Sequence, residues 1–307
     1  MNRPLGRGGP WPAPGKLNLF LHVVGRRPDG YHELQTAFQF IDLHDNLRFF
    51  ARPAGCIERL VAVPGVPAEQ DLVVRAARLL AEHASLRGFA PPPGAAIELE
   101  KRLPMGGGVG GGSSDAATVL VALNELWGIG LTVDELAAIG LGLGADVPVF
   151  VRGRAAWAEG VGERLTPVDF PEAVYVLVRP DVAVGTAEVF KAPELTRDSP
   201  VTTIAGFLLA GGRNDCEPVV RARYPRVAAA LDWLARFAPS RLTGTGACVF
   251  AALPDVASAA SVVAQVPAPW LAWVTRGLNR SPLLDRLDDE RQGGRRAAGE
   301  PRTGRTG

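Results

Sequence analysis

Apolar residues alternate along the chain from residue 17 to residue 24. Leu17, Leu19, Leu21 and Val23 fall on one face of an extended segment; Lys16, Asn18, Phe20 and His22 fall on the other. This predicts a strand with a lysine at its start. A Pro28-Asp29-Gly30 turn and a returning strand over 33–42 follow, then short strands over 47–51 and 57–63. Leu72, Val73, Ala76, Leu79 and Leu80 recur at helical spacing within 71–83, and 95–100 reads as a strand. A helix is predicted over 114–127. A second begins at Thr132, where Thr132-Val133-Asp134-Glu135 forms a capping box, and ends near 144.

The apolar stretch 145–154 is expected to close a first domain. Beyond it, strands are predicted over 155–158, 174–178, 247–253 and 270–274, and helices over 186–190, 202–209, 219–237 (broken near Pro225) and 255–265. This order points to an α+β fold with mixed, mainly antiparallel sheets packed with helices. From residue 284 the chain turns polar and rich in Gly, Arg and Asp, so 284–307 is expected to be a disordered tail. The expected domains are 1–154 and 155–283.

Composition narrows the function without naming it. The 307 residues are 47% hydrophobic and 21% charged, ordinary values for a globular protein with room for two cores. A net charge of +1 gives no general affinity for nucleic acid. No run approaches the roughly 18 apolar residues of a membrane span, and the first fifteen residues hold no apolar leader segment. Cys56, Cys216 and Cys248 lie far apart without metal-binding spacing, which suits a reducing cytoplasm. Only Lys16, Lys101 and Lys191 are lysines; every other basic residue is arginine. A surviving lysine is a candidate for a position where a compact ammonium serves and a planar fork does not, with survival by chance the alternative.

The candidate chemistry centres on Pro104-Met105-Gly106-Gly107-Gly108-Val109-Gly110-Gly111-Gly112-Ser113-Ser114-Asp115-Ala116-Ala117. Its glycines allow close backbone approach and let successive N–H groups converge on an anion. The helix that opens immediately afterwards adds free N–H groups and its dipole. A dinucleotide fingerprint is matched only formally, because any such pattern fits a run this rich in glycine. The P-loop pattern fails, since Gly112 stands where its lysine belongs. The loop is therefore expected to bind phosphate through its backbone, with positive charge supplied from elsewhere.

This run resembles the central ATP-binding motif of the GHMP kinases, a family that includes galactokinase, homoserine kinase and mevalonate kinase. The segments 13–18 (Ala-Pro-Gly-Lys-Leu-Asn) and 242–248 (Leu-Thr-Gly-Thr-Gly-Ala-Cys) resemble its flanking motifs, in the same order. The resemblance covers roughly residues 11–283. It implies a two-domain fold with an N-terminal ATP-binding domain and an active site in the cleft between domains. It also implies ATP as phosphate donor and Mg²⁺ as its ion, with Ser113 or Ser114 the guessed ligand.

Segments 16–21, 27–34 and 143–150 are similar to one branch of the family. That branch phosphorylates the 2-hydroxyl of a cytidine diphosphate-linked methylerythritol. By position, the resemblance makes Lys16 and Asp146 the catalytic pair. It puts Asn18, Tyr31, His32, Thr186 and Phe190 around the substrate's cytidine and methylerythritol ends, Leu72 and Lys101 near adenine, and Pro104 to Ser114 around the ATP phosphates. One departure is Asp71, where the pattern leads one to expect asparagine. From the residues alone, Asp146 also reads as a helix N-cap and Lys16 as an exposed strand-end lysine. Another small-alcohol kinase, of homoserine or mevalonate type, and a catalytically silent nucleotide-binding protein remain alternatives. Monomer and homodimer both stay open.

Overall fold

The computed structural model describes residues 3–63, 65–89 and 93–299. Its spine is a long hairpin, β1 (Trp11–Arg26) against β2 (His32–Arg52), paired antiparallel almost throughout. Both strands exceed the expected lengths, and β2 runs through the expected gap between 42 and 47. β1 is buried on both faces from Ala13 to Val23, so the expected polar face never meets solvent. Register shifts between Pro14 and Lys16 and between Asn18 and Leu21 break its alternation. Such bulges re-aim side chains, and they accommodate a proline in a central strand. Phe20 thereby joins Leu17 and Leu19 in one apolar cluster, while Leu21 and Val23 join another.

The free edge of β2 is used three times. It pairs with β5 (Ala156–Gly160) at 34–38, with β10 (Leu271–Leu278) at Phe40 and Ile41, and with β4 (Gly94–Glu100) at 46–52. β3 (Ile57–Arg59) adds a parallel strand pair, on β4. It is shorter than the expected 57–63. Two strands went unpredicted: β6 (Arg164–Pro167), which pairs β5, and β8 (Ser240–Leu242). From β10 the sheet continues through β7 (Val174–Arg179) and β9 (Val249–Leu253) to β8, all antiparallel. The α+β reading stands.

The helices cover this sheet. α1 (Leu72–Leu86), α2 (Gly111–Leu126), α3 (Val133–Leu141) and α4 (Val147–Arg152) pack on the N-terminal half around Phe40, Leu80, Leu120 and Phe150. The capping box at Thr132 is formed on both sides. α5 (Thr186–Lys191), α6 (Ile204–Ala210), α7 (Glu217–Arg223), α8 (Pro225–Leu234) and α9 (Val256–Val263) accompany the second half. The break before Pro225 is where the proline ring predicts it.

The expected disordered tail is corrected over 284–299, which belong to α10 (Pro282–Gly299). Leu283 and Leu287, four residues apart, are buried in the N-terminal core. The Arg286 guanidinium lies 4.5 Å from the Trp11 ring centroid and pairs with Glu290 at 2.7 Å. A narrow apolar stripe on a polar helix was enough to dock it. Residues 300–307 of the expected tail lie outside the described residues.

Candidate active site

One cleft of about 620 Å³ gathers most of the expected residues. It is lined by Lys16 and Asn18 from β1, Thr36 and Phe38 from β2, Pro104 through Ser113, Ala145 and Asp146 ahead of α4, Thr186 and Phe190 from α5, and the Gly244–Thr245 turn. Asp71, Leu72 and Lys101 line its far side.

The bulge at Gly15 places Lys16 at the cleft floor. Its backbone N–H donates to Val109 O at 3.0 Å, which ties the strand to the glycine loop. The side chain is 4% exposed, against the exposed strand-end alternative. Its ammonium donates to Asn18 Oδ1 (2.5 Å) and Gly108 O (3.3 Å), and lies 3.3 Å from Asp146 Oδ2 and 5.0 Å from the Phe38 ring centroid. Three donors thus meet three oxygens, as a buried ammonium requires. Asn18 is held in turn: its Nδ2 donates to Thr36 Oγ1 at 2.9 Å and its N–H to Thr243 Oγ1 at 3.0 Å.

Asp146 occupies the N-cap position of α4, but its side chain makes no capping bond. Its backbone is helical (φ −84°, ψ −14°), whereas a capping residue normally takes the extended region. The carboxylate is 31% exposed and points to Lys16 instead. The two sequence readings of Asp146 thus meet in one residue, at the cap position yet free for chemistry.

The glycine loop docks on the segment before β9. Ala247 N donates to Gly106 O (3.2 Å) and Cys248 N to Gly107 O (3.1 Å). Gly108 has φ +75°, and a Cβ there would stand 2.2 Å from Thr243 O. Gly110, at φ +73°, turns the chain into α2 with no side-chain cap. The first intrahelical bond runs from Ser114 N to Gly110 O (2.9 Å), so the N–H groups of Gly111, Gly112 and Ser113 are left to face an anion. α2 starts three residues before the expected 114, inside the glycine run. Ser113 lines the cleft; Ser114 is fully buried, its Oγ without a partner, and does not.

Lys101 sits where the loop begins, bonded to Asp45 and, at 2.8 Å, to Asp115 Oδ2 near the start of α2. Burial pushes the Asp115 carboxyl up to about 8 against the pull of Lys101. The Lys101 ammonium, disfavoured by burial, is nonetheless held above its usual range by Asp115 and Asp45. One cation between two buried carboxylates cannot neutralise both, so Asp115 keeps a proton near neutral pH. Asp71 caps α1 through Val73 N at 2.9 Å and pairs with Arg59.

The remaining expected residues lie further out. Thr186 Oγ1 is 3.0 Å from Thr245 Oγ1, which links α5 to the third glycine motif. Tyr31 is 64% exposed and outside the lining, and His32 stands behind Phe190 with ring centroids 5.2 Å apart. Thr36, Phe38 and Asp45 were missed. Each sits in a strand whose pattern reads as packing, and only the carboxylate of Asp45 in a buried segment was a signal. Among the described residues no three His, Cys, Asp or Glu side chains converge as a metal-binding group. No described helix is long and apolar enough to cross a membrane.

Comparison with known proteins agrees with this architecture. The GHMP kinase N-terminal domain matches residues 71–154 and the GHMP kinase C-terminal domain residues 202–271. A 4-diphosphocytidyl-2-C-methyl-D-erythritol kinase of Nitrosococcus oceani is 57% identical over 91% of this chain and 98% of its own. The protein of that name from Pseudomonas aeruginosa is 56% identical over 90% and 96%. A crystal structure of 4-(cytidine 5'-diphospho)-2C-methyl-D-erythritol kinase superposes with a TM-score of 0.76 at 34% identity, covering 88% of this chain and all of the other. A mevalonate kinase shares the fold at 14% identity, with a TM-score of 0.65, 89% of this chain and all of that one being covered. On these matches the chain belongs to the GHMP kinase family, within its 4-diphosphocytidyl-2-C-methyl-D-erythritol kinases.

Proposed function

We propose that this chain transfers the γ-phosphoryl group of ATP to the 2-hydroxyl of 4-diphosphocytidyl-2-C-methyl-D-erythritol, in the methylerythritol phosphate route to isoprenoid precursors. The observation that carries the reading is the Lys16–Asp146 pair, 3.3 Å apart beside the open N-terminus of α2. We assign ATP to the unit over 1–154, with its phosphates along Pro104–Ser113 and adenine towards Leu72 and Lys101. The alcohol enters from the side built with 155–283, past Asn18, Thr186, Phe190 and the Tyr31–His32 turn.

Phosphoryl transfer asks chiefly for positioning and charge stabilisation. The substrate oxygen attacks the γ-phosphorus, the bond from that phosphorus to the oxygen leaving with ADP breaks, and the hydroxyl proton passes to the Asp146 carboxylate. Lys16, 3.3 Å from that carboxylate, holds it in place and offers its charge to the transferring oxygens. The loop's backbone donors hold the phosphates without a P-loop lysine, so Lys16 supplies the missing cation. Mg²⁺ is a hard ion that takes oxygen ligands and is usually carried on nucleotide phosphates. The open Ser113 hydroxyl fits such a ligand set, and the enclosed Ser114 does not. Bound there, the ion would neutralise phosphate charge.

Steady-state kinetics of the full chain with Mg²⁺-ATP test the reading against its relatives. Turnover is expected with the cytidine-bearing alcohol, exceeding that with homoserine or mevalonate by about 10⁴-fold in kcat/KM, as when a site's polar groups lose their partner. Undiminished turnover of an alcohol lacking the cytidine end would instead identify another small-molecule kinase. Nucleotide binding with no turnover of any alcohol would identify a silent relative.

A further inference from the structure

Arg197 lies beyond α5 and reaches back over its C-terminal end. Its guanidinium donates to the carbonyls of Phe190 (3.1 Å), Ala192 (2.6 Å) and Leu195 (3.0 Å), with Pro193 at 3.5 Å. Its Nε donates to His32 Nε2 at 3.2 Å. One side chain therefore closes the last turn of α5 and grips a ring at the turn end of the β1–β2 hairpin. The His32 and Phe190 rings lie at 31° to each other, and Phe190 lines the cleft.

The bond to His32 decides a proton position. A guanidinium nitrogen carries only donors, so Nε2 must accept, and the neutral ring holds its proton on Nδ1. No described residue bonds that Nδ1. Burial, then Arg197 and Arg26 of the neighbouring strand, hold the imidazole below its ordinary 6.5, so the acceptor survives into mildly acidic conditions. Arg197 and Arg26 are both cations, and neither offers a carboxylate that would favour the charged ring.

We propose that Arg197 is a positioning residue for the base-binding wall: it fixes His32 as the Nδ1–H tautomer and ties it to the turn that carries Phe190. The inference rests on reading His32 and Phe190 as the cytidine wall. Arg197 itself makes no contact with the base. It sets which ring edge donates and how the two rings stand, and so tunes affinity for the cytidine substrate while leaving the Lys16–Asp146 chemistry alone.

The direct test is ¹⁵N NMR of the imidazoles in the full chain. With four histidines, His32 is assigned by the signal lost in His32→Gln. The wild type should show Nδ1 protonated and Nε2 bare at neutral pH, the tautomer that imidazole in water disfavours. Arg197→Gln should revert to the Nε2–H form and titrate closer to 6.5. A wild-type His32 in the Nε2–H form overturns the proposal even if every Arg197 variant fails to fold. In kinetics, Arg197→Gln should raise KM for the cytidine substrate about tenfold, the loss of one charge-assisted bond, with kcat and the KM for ATP within about twofold. Arg197→Lys, which keeps the charge but not the fork, should behave the same way. A changed KM with the tautomer unmoved, or a fall in kcat alone, leaves Arg197 as a helix staple and overturns the proposal. Failure of the underlying wall is separable: Phe190→Ala would then leave the KM for the cytidine substrate unchanged while His32 still showed the Nδ1–H form.

Discussion

Lys101 Nζ stands 2.8 Å from Asp115 Oδ2, joining the strand that enters the glycine loop to the helix that leaves it. The same ammonium binds Asp45, whose other oxygen accepts from Arg102 N (2.5 Å) and Leu103 N (2.7 Å). The loop's two ends are thus fastened to one buried charge cluster. Replacing Lys101 by Met leaves the Asp45 carboxylate and the Asp115 carboxyl buried without their cationic partner and should destabilise the fold by about 3–5 kcal/mol. Urea unfolding of the purified variant reads this directly; a midpoint equal to wild type would refute the clamp.

The cluster also predicts a pH dependence. Asp115 holds its proton up to about 8 in the fold but only to about 3.8 as an unperturbed side chain. Between those values the native state binds the extra proton, so stability declines as pH rises through that window and is greatest below it. The slope cannot exceed about 1.4 kcal/mol per pH unit for one proton. Urea midpoints from pH 4 to 8 should fall in the wild type, and this contribution should be missing in Asp115→Asn. Equal profiles for the two proteins would refute the assignment.

Gly108 packs against Thr243, where the glycine loop meets the third motif. An alanine at 108 would need both a positive φ and room 2.2 Å from a carbonyl oxygen. Gly108→Ala should cost about 1–3 kcal/mol in strain and weaken ATP binding about tenfold. Calorimetry with a non-hydrolysable ATP analogue measures it, and unchanged affinity would contradict the docked loop.

α10 buries Leu283 and Leu287 and sets Arg286 over Trp11. Deleting 282–307 should remove about 1.5–3 kcal/mol for each leucine, besides the cation–π contact. The thermal midpoint of the truncated chain should fall by several degrees or more. An unchanged midpoint would mean that the helix contributes nothing to the fold.

That helix marks where sequence reading stopped. Leu283 and Leu287 were visible, but two apolar residues in a polar stretch do not show that Trp11 lies opposite them. The same limit applies to β1. Its alternation was legible, yet bulges at 14–16 and 18–21 come from pairing, and they carry Lys16 into the cleft. The glycine run, the capping box and the break at Pro225 were readable because their causes are local: positive φ, a reciprocal cap, a ring clash. Asp45, Thr36 and Arg197 left little trace, since each acts on a residue distant in sequence. Asp146 lay between: its neighbourhood offered a cap or a catalytic carboxylate, and the missing capping bond and the nearby Lys16 ammonium are visible only in three dimensions.

The Lys16–Asp146 pair is the centre of this account, and Asp146→Asn tests it most directly. The substitution keeps size and shape and removes the charge. Single-turnover phosphoryl transfer from Mg²⁺-ATP to 4-diphosphocytidyl-2-C-methyl-D-erythritol should slow by about 10²–10⁴-fold. The thermal midpoint should stay within a few degrees of wild type, because a carboxylate 31% exposed contributes little to folding. A variant that transfers phosphate at the wild-type rate would contradict the account.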